Sequence, residues 1–410
     1  MLKQNKKYVN ANKLTWINFL HWYQPANADG HIIKEATEMS YLRIIRALEE
    51  HPNIKFTFNI SGCLILRWEE LKYFDLIKRI KRLVRKGQIE LTGSAAYHPI
   101  LALISEKEAS RQVKENEDIL KYYLGNNIKL RGFFLPEMVY SSRVAKLIKK
   151  MGYEWLILDE IAYKGNFEKV DFDNVYEDST SKMKIVFRSR KFSKCYVPDM
   201  LQKAVKKLQD SNPSQSGVQN DRLVITATDA ELYGLRHNDP TAEFEKLLKN
   251  KKLETRTISQ FIDEHKDATK IKPLACSWET TEKELKQKKP YILWYDKDNI
   301  IHKKLWQLAS LVYKTVEKYK KDDNYDWARW HMVRGLASCT FWWASAKDFR
   351  LFGSISWSPD EIERGINELI RAIRAIEDVA TRSTKIKAER LYIKIKQMIW
   401  EKHWKYYWKK

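Results

Sequence analysis

Glycine and proline are scarce in this chain, 13 and 10 of 410 residues. Long flexible or disordered linkers draw on those residues, so none is expected. Cysteine is rarer still. The 4 present, Cys63, Cys195, Cys276 and Cys339, lie far apart and form no CxxC pair. Neither a disulfide framework nor a thiolate metal site is indicated, and a reduced, cytoplasmic setting fits best. No apolar run reaches the roughly 18 residues that a membrane-spanning helix needs, so no membrane partner is expected. The opening stretch MLKQNKKYVNANKLTW carries charge but no apolar core, so it does not read as a secretory signal. The glycine-rich fingerprints GxGxxG and GxxxxGK[ST] are both missing, which removes support for nucleotide-binding versions of an α/β fold.

What is abundant is aromatic and basic. Aromatic residues make up 12% of the chain, with 15 tryptophans, enough for a heavy core or a cleft with stacking surfaces. Lys and Arg number 75 against 53 Asp and Glu, a net charge of +22. The bases are spread along helical faces such as LIKRIKRLVRKG rather than gathered in one patch. A solvated basic surface is therefore expected, and a nucleic-acid partner is not. Only the end of the chain, WEKHWKYYWKK, interleaves bases and aromatics densely. Its two readings are a phosphate-binding or stacking segment and a packed terminal amphipathic helix, and packing is favoured.

The first two-thirds alternates short apolar strands with amphipathic helices. The strand candidates are TWINFLHW, IKFTFNISG, QIELTGS, KLRGFFLP, EWLILDE, MKIVFRSR and RLVITATDAE. Between them fall helical stretches, including one long helix from LRWEELKYFDLIKRIKRLVRKG. Repeated βα units with apolar strands imply a parallel sheet with right-handed crossovers. About seven units favour an α/β barrel, an incomplete one, over residues 1–289. From about residue 290 to 410 the chain turns helical, and one helix has a clear start, with Ser358 as N-cap and Pro359 in the first helical position. The expected architecture is a seven-stranded catalytic barrel followed by a helical domain that contributes to the cleft.

Barrels place functional side chains at the C-terminal strand ends. Here those ends collect acids, histidines and aromatics: His21, Tyr23 and Gln24 after the first strand; Glu90, then His98, in and after the third; Glu137 after the fourth; Asp229 and Glu231 after the seventh. Each taken singly has a structural reading as a cap or an ion-pair partner. Gathered on one rim, like charges repel and burial raises carboxylate pKa values, which makes the cluster a poor structural choice and a better site. Two carboxylates across an aromatic cleft suit glycoside hydrolysis, with one as nucleophile and one as acid and base. The main rival is a metal-dependent polysaccharide deacetylase. It needs closely spaced His ligands, yet the chain has no HxxxH, and its first strand ends in HWY where a zinc mannosidase-like site would want HxD. No cofactor or metal is expected. A non-catalytic glycan-binding protein stands as a further alternative.

Four short motifs, in order, resemble those of glycoside hydrolase family 57. LHWYQP resembles its first motif, through His21, Gln24 and Pro25; GQIELTGSAAYHPIL its second; FFLPEMVY its third; TDAELYG its fourth. The resemblance implies an incomplete (β/α)7 barrel with a C-terminal helical region and action on α-linked glucans or related sugars. It implies Glu137 as nucleophile, Asp229 as acid/base, and Glu90 in a sugar-contacting position. Amylase and 4-α-glucanotransferase activities are the models it offers. Tyr23 stands where several members carry a second His, and Pro136 and Met138 flank Glu137 where some members carry a small polar residue and Arg. Glu137 is expected at a strand end, with the next helix N-terminus favouring its charge. His21, Tyr23, Glu90 and Glu231 are expected to position sugar hydroxyls or tune the two acids, and Trp342 and Trp343 to reach over the cleft.

Overall fold

The structure, a computed structural model, describes residues 13–210, 222–348 and 355–408. It divides into two compact units. The first takes in the chain up to Gln24, then Ala28–Ala96 and Ser105–Glu282. The second takes in Pro25–Asn27, Tyr97–Ile104 and the chain from Lys283 onward.

The first unit is built on two five-stranded sheets. In one, β1 (Leu14–Trp22) pairs in parallel with β2 (Phe56–Ile60), and β2 with β3 (Ile89–Leu91). The other sheet holds β4 (Gly132–Phe133), β5 (Trp155–Asp159), β6 (Tyr176–Asp178), β7 (Lys184–Arg188) and β10 (Thr269–Ile271). β8 (Leu223–Asp229) and β9 (Leu253–Thr255) join the first sheet, both parallel to β1. In the second sheet β4, β5 and β7 run parallel in that order, while β6 is antiparallel to β7. Two links tie the sheets together. A parallel bridge joins Gly93, past β3, to Phe133 of β4. On the other side Ser189 N–H, just past β7, donates to the Ile225 carbonyl of β8 at 2.8 Å.

β1 is buried along its whole length because both its faces are used. Ile17 and Phe19 point to one cluster with Phe134, Ile157, Val186 and Ala227. Leu14, Trp16, Leu20 and Trp22 point to the other, beneath the helices that cover the sheet. This period-two split leaves His21 on the same face as Phe19 and Ile17. Gly132 is obligatory at β4, since a Cβ there would meet the Trp155 indole at 2.1 Å.

Several elements differ from expectation. The stretch read as one long helix to Gly87 is two, Gly62–Glu70 and Phe74–Arg85, broken at Lys72, which is left-handed with φ 64°. The helix covering β1 passes through a π-turn at Thr37–Tyr41. The short strands β6, β9 and β10 were not anticipated. The helix after Glu137 starts only at Ser142, capped by the Ser141 side chain accepting from Val144 N–H.

The second unit is helical: Ile300–Lys318, Tyr325–Gly335, Ser338–Trp342, Pro359–Ala375 and Arg382–Lys402, the last running into a π-turn at His403–Tyr407. Ser358 caps its helix as expected, accepting from Glu361 N–H at 3.3 Å, with Pro359 opening the helix. The terminal aromatics only partly pack. Trp400 donates to Glu363 and Tyr407 lies against Trp357, but Trp404, Tyr406 and Trp408 are exposed. The described part of the segment thus packs on one side only, continuing a helix whose buried face is filled by Ala388, Ile395 and Ile399.

Candidate active site

The register of three parallel strands assembles the site. His21, next to last in β1, is level with Asn59 of β2 and with Asp229, the last residue of β8. Neighbouring parallel strands lie roughly 4.8 Å apart, so His21 and Asp229 share one end of the sheet. The imidazole is buried, and its Nδ1 lies 2.8 Å from Asn59 Oδ1. Nδ1–H donates there, which directs the Nε2 lone pair away from Asn59. Burial pulls the His21 pKa down to about 4, against the opposing charge of Asp229, so the ring is neutral near pH 7.

The ring also links to Glu137. It lies 4.6 Å from the Phe134 ring and 6.0 Å, edge-on, from the Trp278 indole. Trp278 Nε1–H in turn donates to Glu137 Oε2 at 3.0 Å. Glu137 sits in a single 3₁₀ turn, Pro136–Met138, and is left-handed with φ 58°; Met138 follows at φ 49°. Two successive non-glycine residues in that region cost of order 1–3 kcal/mol each and persist only where their surroundings hold them. Here Met138 N–H bonds the Leu135 carbonyl, and the backbone past the turn is clamped to another segment. Tyr140 N–H donates to the Cys276 carbonyl at 2.8 Å, and Trp278 N–H to the Glu137 carbonyl at 3.2 Å. Glu137 is thus not a first-turn helix acid. Its helix starts five residues later, beyond the short range of a helix dipole, and an indole N–H meets its carboxylate instead.

Trp278 is held in its turn. The Arg188 guanidinium lies 5.2 Å over its ring and donates to its carbonyl at 2.9 Å. Arg188, at the end of β7, also meets Asp159, at the end of β5, at 2.8 Å, and Arg190 meets the other Asp159 oxygen at 2.6 Å. A fully buried carboxylate shared by two guanidiniums is a satisfied anion, so Asp159 serves as an anchor for the Trp278 segment.

Asp229 carries a different partner. Arg236 Nη1 lies 2.9 Å from its Oδ2. The loop between them is tied to the π-turn of the first helix: Leu235 N–H donates to Ser40 Oγ at 2.9 Å, and Ser40 Oγ to the Glu231 carbonyl. Gly234 makes this close approach possible. Its φ is 146°, and a Cβ there would stand 2.1 Å from the Met39 carbonyl oxygen. Glu231, two residues past Asp229, is buried and accepts from Gln24 Nε2 at 2.8 Å and from the Tyr41 hydroxyl. Burial, aided by the Asp229 charge and opposed by Arg236, pushes its carboxyl up to about 7.

Ring contacts and a hydrogen bond join Tyr23, 5.8 Å away, and, through Trp278, Glu137 to His21, and strand register sets Asp229 level with His21; Gln24 and Glu231 are bonded to each other just past these strand ends. Glu90 is not part of this arrangement. It pairs with Thr57, two residues short of the His21 level, and its carboxylate accepts from Thr57 Oγ1 at 2.9 Å and from Ser259 N–H at 3.2 Å. Ser259 lies in the first turn of the helix Ile258–Asp263, so Glu90 serves that helix N-terminus. His98, Trp342 and Trp343 belong to the second unit. There His98 Nδ1 lies 3.0 Å from Ser338 Oγ, and Trp342 and Trp343 meet edge-on at 4.5 Å. Trp278, Arg188 and Arg236 were missed. Trp278 lies 141 residues from its carboxylate partner. Among the described residues no cluster of His, Cys, Asp and Glu is placed to hold a metal ion.

Residues 1–273 match a known family, glycosyl hydrolase family 57. The chain belongs to that family. Among curated relatives, the family 57 chain is 35% identical over 147 residues to an alpha-amylase of Pyrococcus horikoshii, covering 35% of this chain and 23% of the relative. It is 23% identical over 367 residues to the 4-alpha-glucanotransferase of Thermococcus litoralis, covering 79% of this chain and 55% of the relative. The chain thus spans about a quarter of the first relative's length and about half of the second's. Among solved structures, that 4-alpha-glucanotransferase superposes with a TM-score of 0.68 at 17% identity, over 89% of this chain and 60% of the other. A GH57-type branching enzyme from Pyrococcus horikoshii gives 0.66 at 15%, over 93% and 94%. The mixed-sheet unit followed by helices is therefore the fold these enzymes share.

Proposed function

We propose that this family 57 chain is a retaining glycoside hydrolase or transglycosylase acting on α-glucan or a related α-linked sugar. We read its first unit as an incomplete (β/α)7 barrel in the order β1, β2, β3, β4, β5, β7, β8, its third and fourth strands joined by the Gly93–Phe133 bridge and its last pair by the Ser189–Ile225 hydrogen bond. One observation carries the functional reading. A single buried, neutral imidazole, His21, is level with Asp229 on one side and lies against the Trp278 that binds Glu137 on the other. Strand register on one side and the Trp278 hydrogen bond on the other thereby relate two carboxylates from distant strands to one ring.

Glu137 attacks the anomeric carbon while Asp229 gives a proton to the departing oxygen. A glycosyl–Glu137 ester forms. Asp229 then takes a proton from water or from an acceptor sugar hydroxyl, which displaces Glu137. His21, Tyr23, Gln24 and Glu231 hold sugar hydroxyls or tune the two acids. The partition between hydrolysis and transfer depends on which acceptor reaches the ester. That its relatives and structural neighbours include an alpha-amylase, a 4-alpha-glucanotransferase and a branching enzyme supports an α-glucan substrate. The free cysteines of the described residues suit the cytoplasmic setting included in this reading.

The test is activity on soluble starch, maltooligosaccharides and aryl α-glycosides for wild type, Glu137→Gln and Asp229→Asn. Both variants are expected to lose at least about a thousandfold in kcat. Wild-type rates in Glu137→Gln would remove Glu137 as nucleophile.

A further inference from the structure

The last helix of the second unit carries a surface that the glucan reading does not use. Ala388, Ile395 and Ile399 are its buried contacts. Ile386 and Ile393 lie two positions before Ala388 and Ile395, about 200° round the helix. They are 46% and 62% exposed. The same side continues through the π-turn to Trp404 and Trp408, which are 51% and 67% exposed and lie ring to ring at 4.9 Å. Large apolar side chains on the outward face of a docked helix are not needed to hold it there.

Charge surrounds this stripe. Residues 382–408 contain eight Lys and Arg against two Glu. Of the two acids, Glu389 is paired with Arg374 and Glu401 accepts from Gln397. Lys387, Arg390, Lys394 and Lys405 are all exposed along the stripe. Beside it, a cavity of about 650 Å³ is lined by Lys303, Lys314 and Lys387 together with Tyr295, Trp306 and Leu391.

We propose that this face docks the protein on an anionic phospholipid surface, with Ile386, Ile393, Trp404 and Trp408 entering the headgroup–acyl boundary and the lysines meeting lipid phosphates. Aliphatic and indole side chains ringed by Lys and Arg are what an interfacial helix presents. Tryptophan and tyrosine favour that boundary because each has an apolar body and a polar tip. Lysine-lined cavities beside such a helix receive phosphate headgroups. Two other occupants fit less well. A second copy of the chain would bring two strongly basic faces together. A nucleic acid would use the lysines and aromatics but has nothing to offer the isoleucines. The proposal concerns lying on a membrane; among the described residues no helix is long and apolar enough to cross one. The lack of long apolar runs in the sequence bears only on crossing.

The full chain is floated in a density gradient with vesicles of phosphatidylcholine, or of phosphatidylcholine mixed with phosphatidylglycerol. It should float with the mixed vesicles and not with the neutral ones, and its tryptophan emission should shift to the blue. The triple variant Ile386→Ser/Ile393→Ser/Trp404→Ser should bind mixed vesicles about tenfold or more weakly, with unchanged circular dichroism and glucan activity. Lys387→Gln/Lys394→Gln/Lys405→Gln should bind more weakly than wild type at low salt, with the gap closing as salt is raised. Failure to float on either vesicle overturns the proposal, and so does equal flotation of wild type and the Ser variant. A wild-type dimer that the Ser variant splits would assign the face to a second copy. Binding of an oligonucleotide without binding of vesicles would assign it to nucleic acid.

Discussion

At the scale of single residues, the account turns on what each polar group touches. Glu137 receives an indole N–H from Trp278. A charge-assisted hydrogen bond of that kind contributes roughly 1.5–3 kcal/mol. Trp278→Phe keeps the ring against His21 and removes only the donor. Its kcat should fall about tenfold to a hundredfold with KM little changed, measured by steady-state kinetics on maltooligosaccharides. Glu231 offers a pH signature. Its folded pKa, about 7, lies above the ordinary 4.5, so between those values the native state holds a proton that the unfolded chain has lost. Glu231 therefore favours folding most at the acid end and loses that contribution as pH rises to 7 and beyond. His21 runs the other way. Its pKa, lowered to about 4, makes folding more favourable as pH rises from about 4 to 6.5. The difference in Tm between Glu231→Gln and wild type should thus grow from pH 5 to pH 8 in favour of the variant, followed by thermal melts across that range. An unchanging difference would place the Glu231 pKa at its ordinary value.

The element scale shows which parts of this arrangement were legible and which were not. The seven strands of the alternating series read clearly because each is a run of apolar and β-branched residues between polar helices. β10 escaped notice because TKI is short and half polar, with Thr269 and Lys270 exposed, and β6 and β9 are only three residues each. The break at Lys72 had no glycine or proline to announce it. Glu137 and Asp229 stood out as acids where apolar strands end. Trp278 could not, because its place is set by Tyr140 and Cys276 pairing across more than a hundred residues. Glu90 looked like a site residue for the same reason as Glu137, an acid in an apolar strand, and only its two hydrogen bonds reveal the helix it serves. The π-turn at Thr37–Tyr41 is the element that ties the Asp229 loop in place, through Ser40 and Tyr41. Gly234→Ala puts a Cβ into the Met39 carbonyl at a φ that L residues avoid. It should cost about 1–3 kcal/mol in chemical denaturation and lower kcat by displacing Asp229 and Arg236 together.

For the whole molecule, the family match covers residues 1–273, which hold the proposed carboxylate pair, while the basic, aromatic face of the second unit is a surface the proposed chemistry does not use. The two-carboxylate mechanism draws on no bound ion, so glucan activity in excess chelator should equal that without it, measured as reducing-end release. The most direct test of the central claim is to trap the glycosyl-enzyme. Asp229→Asn incubated with an α-maltosyl fluoride should still form the ester, because fluoride leaves without an acid. It should hydrolyse it slowly, because the base is gone. Mass spectrometry of the digested protein is then expected to find the maltosyl mass on the peptide that holds Glu137. A label on another carboxylate, or no label while β-configured product accumulates, would contradict the account.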